Sequence, residues 1–180
     1  MNESIQRVLL DEAAIIERIN KLAAQITEDY RGQDLTVVAI LNGSIIFSAD
    51  LLRRIPLPLK IDGLRVSSYA GTESTGQITF GQTSVSELRG RHILLLDDIL
   101  DTGLTLSAVK KHLVAAGEAL SVKTCVLLRK DVPRDHAIEA DYVGFDIPNE
   151  FVVGYGLDYN GKYRNLPYIG ILTDEAITRG

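Results

Sequence analysis

Three aspartates within five positions form the part of this sequence best able to do chemistry. Asp97, Asp98 and Asp101 follow the aliphatic residues 93–96 and precede the turn Thr102-Gly103-Leu104-Thr105. Adjacent carboxylates repel each other and are costly to desolvate, so they need a cation or hydroxyl donors beside them. The turn instead offers backbone N–H groups and hydroxyls ahead of a helix, which suits a phosphate. A sugar phosphate carrying a metal ion fits both halves of this loop.

The aliphatic run before the acids predicts the element that positions them. Four such residues in a row indicate a buried parallel strand, whose carboxyl end is where open α/β sheets bind ligands. Further strands are predicted at residues 35–41, 61–66, 122–128, 142–145, 151–153 and 168–172. Helical spacing of apolar residues predicts helices at 11–30, 45–54 and 105–116. Strands that alternate with helices predict an α/β fold, a central parallel sheet flanked by helices.

The length and the charge of the chain narrow the classes of partner. A chain of 180 residues predicts one domain, spanning residues 1–180. Its net charge of −5 and the absence of a long basic run argue against a nucleic-acid partner. An anionic substrate would therefore be held by local positive charge and a metal.

The single cysteine, Cys125, excludes an internal disulfide and lies in an apolar run, as a buried core thiol does.

The N-terminus and the hydropathy give an expectation about compartment. Residues 1–4 lack the basic start and the long apolar stretch of a signal peptide. No segment of the sequence is long and apolar enough to span a membrane. We therefore expect a cytoplasmic protein without a membrane partner.

A long polar segment separates two of the predicted strands. Residues 67–84 contain Gly71, Gly76 and Gly81 among many Thr and Ser residues. A loop of this length in a compact domain is typically a lid or disordered. A loose hairpin is the other interpretation.

The stretch 93–105 resembles the phosphoribosyl-pyrophosphate (PRPP) signature of type I phosphoribosyltransferases. With Asp at position 101, it resembles the form of that signature found in the hypoxanthine-guanine branch. The resemblance implies that Asp97 and Asp98 hold the ribose hydroxyls, directly or through Mg²⁺, although Glu is commoner at position 97 in the family. It also implies that the 5′-phosphate is bound by Thr102, Gly103 and Thr105, with backbone and shape supplied by Ile99, Leu100 and Leu104. Asp101 would act as general acid/base at purine N7. The alternative is that Asp101 caps the following helix.

Two later segments resemble the purine site of the same family. Lys130 would donate to the 6-oxo oxygen, and a cation that accepts no hydrogen bond disfavours a 6-amino purine. Phe151 would stack on the base, and the backbone of Val152 would read its edge. Asp158 resembles a magnesium-linked acid near the purine 2-position. Taken alone, Lys130 would be a solvated loop residue and Phe151 a core residue.

The remaining similarity concerns pyrophosphate and the lid. The turn of Asn42 and Gly43 resembles the family's pyrophosphate loop, which often has a cis peptide before the Gly, although many relatives carry Lys or Arg at position 42. Arg164 resembles the arginine that grips pyrophosphate, because guanidinium geometry suits phosphate oxygens. Ser68 and Tyr69 would open a lid that excludes water from the site.

Together these similarities imply the type I phosphoribosyltransferase fold, with a small hood formed by the N-terminal part and about residues 142–180. They imply transfer of the phosphoribosyl group from PRPP to hypoxanthine or guanine, with Mg²⁺ as cofactor and Asp97, Asp98 and Asp158 as metal ligands. A homodimer or homotetramer is expected. The preference among hypoxanthine, guanine and xanthine stays open.

Three alternatives compete with this interpretation. An RNA-binding regulator on the same fold would tend to lose the acid at position 101 and to carry a basic face. A signalling receiver domain would also place paired acids at a strand end, but it needs neither the Thr-Gly-Leu-Thr turn nor the hood segment. A phosphoribosyltransferase for adenine would conflict with the role implied for Lys130.

Overall fold

The computed structural model describes residues 3–68, 78–80, 88–133 and 136–178. The strands are β1 (Ile5–Leu10), β2 (Leu35–Leu41), β3 (Leu59–Ser68), β4 (Ile78–Phe80), β5 (His92–Leu100), β6 (Ser121–Lys130), β7 (Tyr142–Ile147), β8 (Val152–Val153) and β9 (Ile169–Leu172). The helices are α1 (Glu12–Asp29), α2 (Ile45–Leu52), α3 (Leu104–Ala115) and α4 (Asp174–Thr178). Each predicted helix is present, and its ends lie within two residues of the predicted ones.

A mixed sheet with five parallel strands forms the centre of the molecule. The strand order is β4-β3-β2-β5-β6-β7, and only β4 runs antiparallel to its neighbour. The apolar runs of β2 and β5 lie in the middle, where residues 35–40 and 93–97 are all buried. Strands covered on both faces need such continuous apolar runs. The predicted fold class, a parallel sheet flanked by helices, is confirmed.

Helix α1 covers one face of this sheet and shows why the sequence folds as it does locally. The Asp11 side chain accepts a hydrogen bond from the Ala14 amide at 2.8 Å, which caps the first turn. Its buried residues recur at helical spacing, as expected for an amphipathic helix: Ile15, Ile19, Leu22, Ala23 and Ile26. They join the larger of the two main core clusters, together with residues of β2, α2 and β6.

A second, smaller sheet forms the hood. Its order is β1-β9-β8, with both pairings antiparallel. The sequence pattern does not predict β1. In the structure only Ile5 of that strand is buried, and its pairing with β9 is broken by two register shifts. Strand β7 pairs with β6 and so belongs to the central sheet. The expected start of the hood, near residue 142, is therefore one strand too early.

The long polar segment begins as an antiparallel pairing. Val66, Ser67 and Ser68 of β3 lie opposite Phe80, Thr79 and Ile78 of β4. Tyr69 and most of residues 67–84 lie outside the described residues, so the predicted lid stays a prediction. None of the helices in the described part of the chain has both the length and the apolarity needed to cross a membrane.

Candidate active site

A cavity of about 280 Å³ opens at the carboxyl edge of the central sheet. It lies above the ends of β2 and β5 and ahead of the N-terminus of α3. The sequence-predicted residues that line it are Gly43, Asp97, Asp98, Ile99, Leu100, Asp101, Thr102, Gly103, Leu104, Thr105, Asp158 and Arg164. The fold therefore brings the acids of β5, the phosphate turn and two hood residues around one space.

The adjacent carboxylates of Asp97 and Asp98 form the floor of this cavity. Asp97 is 5% exposed, and its Oδ1 accepts a hydrogen bond from the Asp98 amide at 3.0 Å. Burial and the neighbouring Asp98 charge raise the pKa of Asp97 well above its usual value. Burial also raises the pKa of Asp98, although hydrogen bonds and the Arg164 charge partly offset that effect. A buried acid and a partly buried acid with so little compensation are suited to a cation or a polyol ligand.

This arrangement predicts that replacing Asp97 by Asn stabilises the ligand-free protein at neutral pH. A carboxyl with a raised pKa in the folded state contributes stability at low pH, which is lost as the pH rises from its unfolded pKa through its folded pKa. A neutral amide avoids that loss and keeps the acceptor for the Asp98 amide. We expect the melting temperature of Asp97→Asn at pH 7 to rise by about 2–4 °C or more, that is, by at least about 1 kcal/mol in the free energy of unfolding.

Thermal unfolding of Asp97→Asn and wild type between pH 4 and pH 8 is the measurement. The difference should shrink towards the acid end, where both proteins are neutral at this position. Asp146→Asn, at a carboxylate paired with Arg129 on the surface, is the control and should give no gain. A lower melting temperature of Asp97→Asn at pH 7 would contradict the argument.

The phosphate turn is shaped by Gly103. Its φ of 82° is left-handed and places it at the N-cap of α3 without a side-chain cap. A Cβ here would lie 2.8 Å from Ile138 Cγ2 and 2.9 Å from the His136 carbonyl oxygen, so only glycine fits. The first N–H groups of α3 have no acceptor within the helix and face the cavity, as anion binding requires. Gly103 occupies the cap, and the alternative that Asp101 caps this helix is therefore wrong.

Asp101 forms an ion pair with the residue predicted to read the base. Lys130 Nζ lies 3.2 Å from Asp101 Oδ2, although the two residues are 29 positions apart. The side chain of Lys130 is 11% exposed and that of Asp101 is 45% exposed. Lys130 is therefore not the solvated loop residue of the alternative interpretation. The pair combines a proton acceptor that lines the cavity, Asp101, with a neighbouring cationic donor, Lys130, which lies outside the cavity lining.

The turn after β2 approaches the acids directly. A Cβ on Gly43 would lie 1.8 Å from Asp98 Oδ2, so the backbone of Gly43 rests against that carboxylate. A cis peptide joins Leu41 to Asn42, ahead of Gly43. Asn42 does not line the cavity, whereas Leu41 and Gly43 do. The backbone of this turn, rather than the Asn42 side chain, is what the structure presents to a ligand.

Asp158 and Arg164 close the cavity from the hood. Arg164 Nη2 lies 2.6 Å from Asp158 Oδ1, and Arg164 Nη1 donates to the Gly156 carbonyl at 2.6 Å. Within the described residues, no group of three His, Cys, Asp or Glu side chains is arranged to hold a metal. The predicted set of Asp97, Asp98 and Asp158 is thus not a preformed cage, because Asp158 is paired with Arg164. Mg²⁺ often relies on one or two carboxylates and on substrate phosphates, which this arrangement allows.

The predicted base platform lies outside the lining of this cavity. Phe151 is 47% exposed, which excludes the alternative that it is a core residue. Its ring meets the Tyr159 ring edge to face, with centroids 5.5 Å apart. Val152 is buried in β8 opposite Ile171. An exposed aromatic ring held by a second ring is available for stacking on a planar ligand.

Several residues of the site carried no sequence signal. Ile40 and Leu106 line the cavity through the ends of their elements. Gly156 touches the pyrophosphate turn, since a Cβ there would lie 2.1 Å from the Gly43 carbonyl oxygen. The pair of glycines around Tyr155 is the only pattern from which this contact could have been suspected.

Comparisons with known proteins agree with this geometry. A model of the phosphoribosyl transferase domain family matches residues 6–160. A hypoxanthine-guanine phosphoribosyltransferase of Streptococcus pneumoniae is 47% identical over 98% of both chains. A hypoxanthine-guanine-xanthine phosphoribosyltransferase of Tritrichomonas foetus is 38% identical, covering 99% of this chain and 97% of its own length.

The fold of this chain also matches that of a solved structure. The crystal structure of a hypoxanthine phosphoribosyltransferase from Staphylococcus aureus matches with a TM-score of 0.91 and 45% identity, covering 97% of this chain and 95% of its own. A family match over most of the chain and relatives of this similarity at nearly full length establish the family. The chain belongs to the phosphoribosyl transferase domain family and, within it, to the hypoxanthine-guanine phosphoribosyltransferases.

Proposed function

We propose that this enzyme transfers the 5-phosphoribosyl group from PRPP to hypoxanthine or guanine and releases pyrophosphate. The observation that carries the proposal is the ion pair of Asp101 and Lys130 beside the buried acids and the phosphate turn. One site thus contains groups for a purine edge, a ribose and a 5′-phosphate. The names of the relatives support the same reaction and rank a receiver domain or an RNA-binding regulator below it.

The reaction places a specific demand on Asp101. The bond between ribose C1′ and purine N9 forms as the bond from C1′ to the pyrophosphate oxygen breaks. A base protonated at N7 must lose that proton when N9 becomes bonded, and the Asp101 carboxylate accepts it. N7 and the 6-oxo oxygen lie on the same edge of the base, so neighbouring Asp101 and Lys130 side chains match them as a pair.

The rest of the site would hold the sugar and the leaving group. Asp97 and Asp98 would accept hydrogen bonds from the ribose hydroxyls, and the turn of residues 102–105 would bind the 5′-phosphate. Gly43 and Arg164 lie on the side where pyrophosphate would depart. Asp97, Asp98 and Asp158 supply the hard oxygen donors that Mg²⁺ prefers, and the ion would neutralise charge on the pyrophosphate. Phe151 would stack on the base, with Val152 and Asp158 at its edge.

A steady-state assay with Mg·PRPP and each purine base tests this proposal. Turnover of hypoxanthine or guanine, with release of pyrophosphate, is expected, and chelation of Mg²⁺ should remove it. Preferential turnover of adenine would contradict the assignment of Lys130. Formation of an aspartyl phosphate from acetyl phosphate would instead favour a receiver domain. The same assay with xanthine decides the preference that the sequence leaves open.

Replacing Lys130 by Gln should weaken discrimination between 6-oxo and 6-amino purines. The amide both donates and accepts, so it can satisfy either group, whereas the ammonium only donates. We expect kcat/KM for hypoxanthine to fall by about 10²-fold, because the hydrogen bond from the ammonium to the 6-oxo oxygen is lost, and kcat/KM for adenine to fall by less. The ratio of kcat/KM for the two bases is the measurement.

Lys110→Gln is the matched control for this variant. Lys110 also pairs with an aspartate, Asp141, at 3.7 Å, but Asp141 does not line the cavity, whereas Asp101 does. Its replacement should leave the ratio unchanged. An unaltered preference in Lys130→Gln would mean that another residue reads the 6-position.

Two further expectations belong to the same proposal. The first is a lid, predicted from the sequence to include Ser68 and Tyr69. Protection of residues 67–84 from proteolysis by PRPP and Mg²⁺ would support closure of the lid.

The second expectation is a homodimer or homotetramer, and light scattering of the purified protein would measure its mass.

A further inference from the structure

A left-handed turn of the hood carries an unusual backbone. Gly154, Tyr155 and Gly156 have φ values of 98°, 50° and 106°, three positive values in succession. Glycine adopts such values freely, but a tyrosine does so rarely and only where its surroundings hold it. Backbone hydrogen bonds from the Tyr155 amide to the Leu166 carbonyl and from the Gly156 amide to the Arg164 carbonyl hold this turn within the hood. Contacts of the Tyr155 side chain join it to the rest of the molecule.

Two kinds of contact hold Tyr155. Its side chain is 3% exposed and belongs to the same core cluster as Phe47 and Leu51 of α2. Its hydroxyl donates a hydrogen bond to the carboxylate of Asp50, also on α2. Burial alone would raise the pKa of Asp50, but the Tyr155 hydroxyl and the Arg53 guanidinium outweigh it and hold the pKa below its usual value. The hood turn is thus joined to α2 by a charge-assisted hydrogen bond.

The same turn rests on the wall of the active-site cavity. A Cβ on Gly156 would lie 2.1 Å from the Gly43 carbonyl oxygen, and one on Gly43 would lie 1.8 Å from Asp98 Oδ2. No side chain therefore separates these groups: the backbone of Gly156 lies against that of Gly43, which in turn lies against the Asp98 carboxylate. The Gly156 carbonyl also accepts the hydrogen bond from Arg164. A shift of Gly156 would move both the turn after β2 and the arginine.

We propose that Tyr155 is a positioning residue for the pyrophosphate half of the site. Its bond to Asp50 fixes the hood turn relative to α2, which begins at Ile45 directly after the turn that contains Gly43. That bond sets how closely Gly156 approaches Gly43 and where Arg164 lies. This inference rests on the proposed function, since it assigns pyrophosphate to this side of the cavity.

The base side of the site is held by other contacts. Phe151 packs against Tyr159, and Val152 pairs with Ile171 of β9. Lys130 is the last residue of β6 in the central sheet, and Asp101 directly follows β5, so neither belongs to the hood. Loss of the Tyr155 hydroxyl should therefore weaken binding of PRPP and pyrophosphate while the KM for hypoxanthine and kcat stay close to those of wild type. A purely structural role would not separate these constants.

Tyr155→Phe removes the hydroxyl and keeps the ring. We expect the KM for PRPP, and the Kd of inorganic pyrophosphate measured by calorimetry with Mg²⁺, to rise about tenfold. Tyr142→Phe is the matched control. Tyr142 is also 3% exposed, and its hydroxyl donates to the carboxylate of Asp29 on α1 at 2.6 Å. It starts β7, however, at the amino end of the parallel strands, whereas the cavity opens at their carboxyl edge. It should lower the melting temperature without changing either constant.

A double-mutant cycle separates the hydrogen bond from other effects. In an Asp50→Ala background the acceptor is gone, so adding Tyr155→Phe should raise the KM for PRPP no further. Equal effects in both backgrounds, or wild-type constants in Tyr155→Phe, would overturn the inference. An inactive wild-type enzyme would instead overturn the proposed function, so the two failures are distinguishable.

Discussion

We expect Asp101→Asn to lower kcat by roughly 10²–10⁴-fold, the range that a lost general base typically gives. The amide keeps the shape of the side chain but cannot accept the N7 proton at the moment N9 becomes bonded. Asp101 lies at the rim of the cavity, beside Lys130, and caps no helix. The fold should therefore tolerate the change, and binding of PRPP to Asp97, Asp98 and the phosphate turn should persist. The effect should fall on the chemical step.

Single-turnover rates with saturating Mg·PRPP and hypoxanthine measure that step directly, and calorimetry measures PRPP binding. Asp146→Asn is the control, because Asp146 also pairs with a basic residue, Arg129, at the end of a neighbouring strand. It should leave both quantities unchanged. A wild-type single-turnover rate in Asp101→Asn would remove Asp101 from the mechanism, whereas lost PRPP binding would assign it to binding instead.

Gly43→Ala should reduce kcat/KM for PRPP by at least about 10²-fold, because a displacement near 1 Å in a reactive site has effects of that size. The new Cβ would lie 1.8 Å from Asp98 Oδ2 and 2.6 Å from its Cγ, so the whole carboxylate must leave its position. Asp98 now accepts a hydrogen bond from the Ile99 amide at 2.8 Å and faces the cavity. Its displacement removes one of the two acids that would hold the ribose.

The expected loss is one of function more than of stability. The backbone of Gly43 does not have a positive φ, so alanine adds no conformational strain there. Gly32→Ala is the control. A Cβ on Gly32 meets nothing within 4 Å, but its φ of 73° makes alanine cost about 1 kcal/mol or more. That variant should be less stable and fully active, and an active Gly43→Ala enzyme would contradict the contact with Asp98.

The sequence determined the parts of the site that are contiguous along the chain. The apolar run of β5, its terminal acids and the turn into α3 lie in one short stretch, and local pattern fixes the order in which they appear. A buried strand followed by a glycine turn and a helix places those acids and amides together whatever the rest of the chain does. For the same reason the parallel sheet and the three long helices followed from hydrophobic periodicity alone.

Tertiary structure decided everything that depends on residues distant in the chain. It placed Lys130 against Asp101, brought Asp158 and Arg164 of the hood to the cavity of the β5 acids, and put β7, expected in the hood, into the central sheet. It also formed β1, whose pattern is too weak to predict, by pairing it with β9. Such contacts form because packing of the whole core brings separate elements together, and local periodicity carries no information about which elements meet. The stacking of Gly156 on Gly43 and Asp98 is of this kind, since glycine shows only where a backbone can approach, not what approaches it.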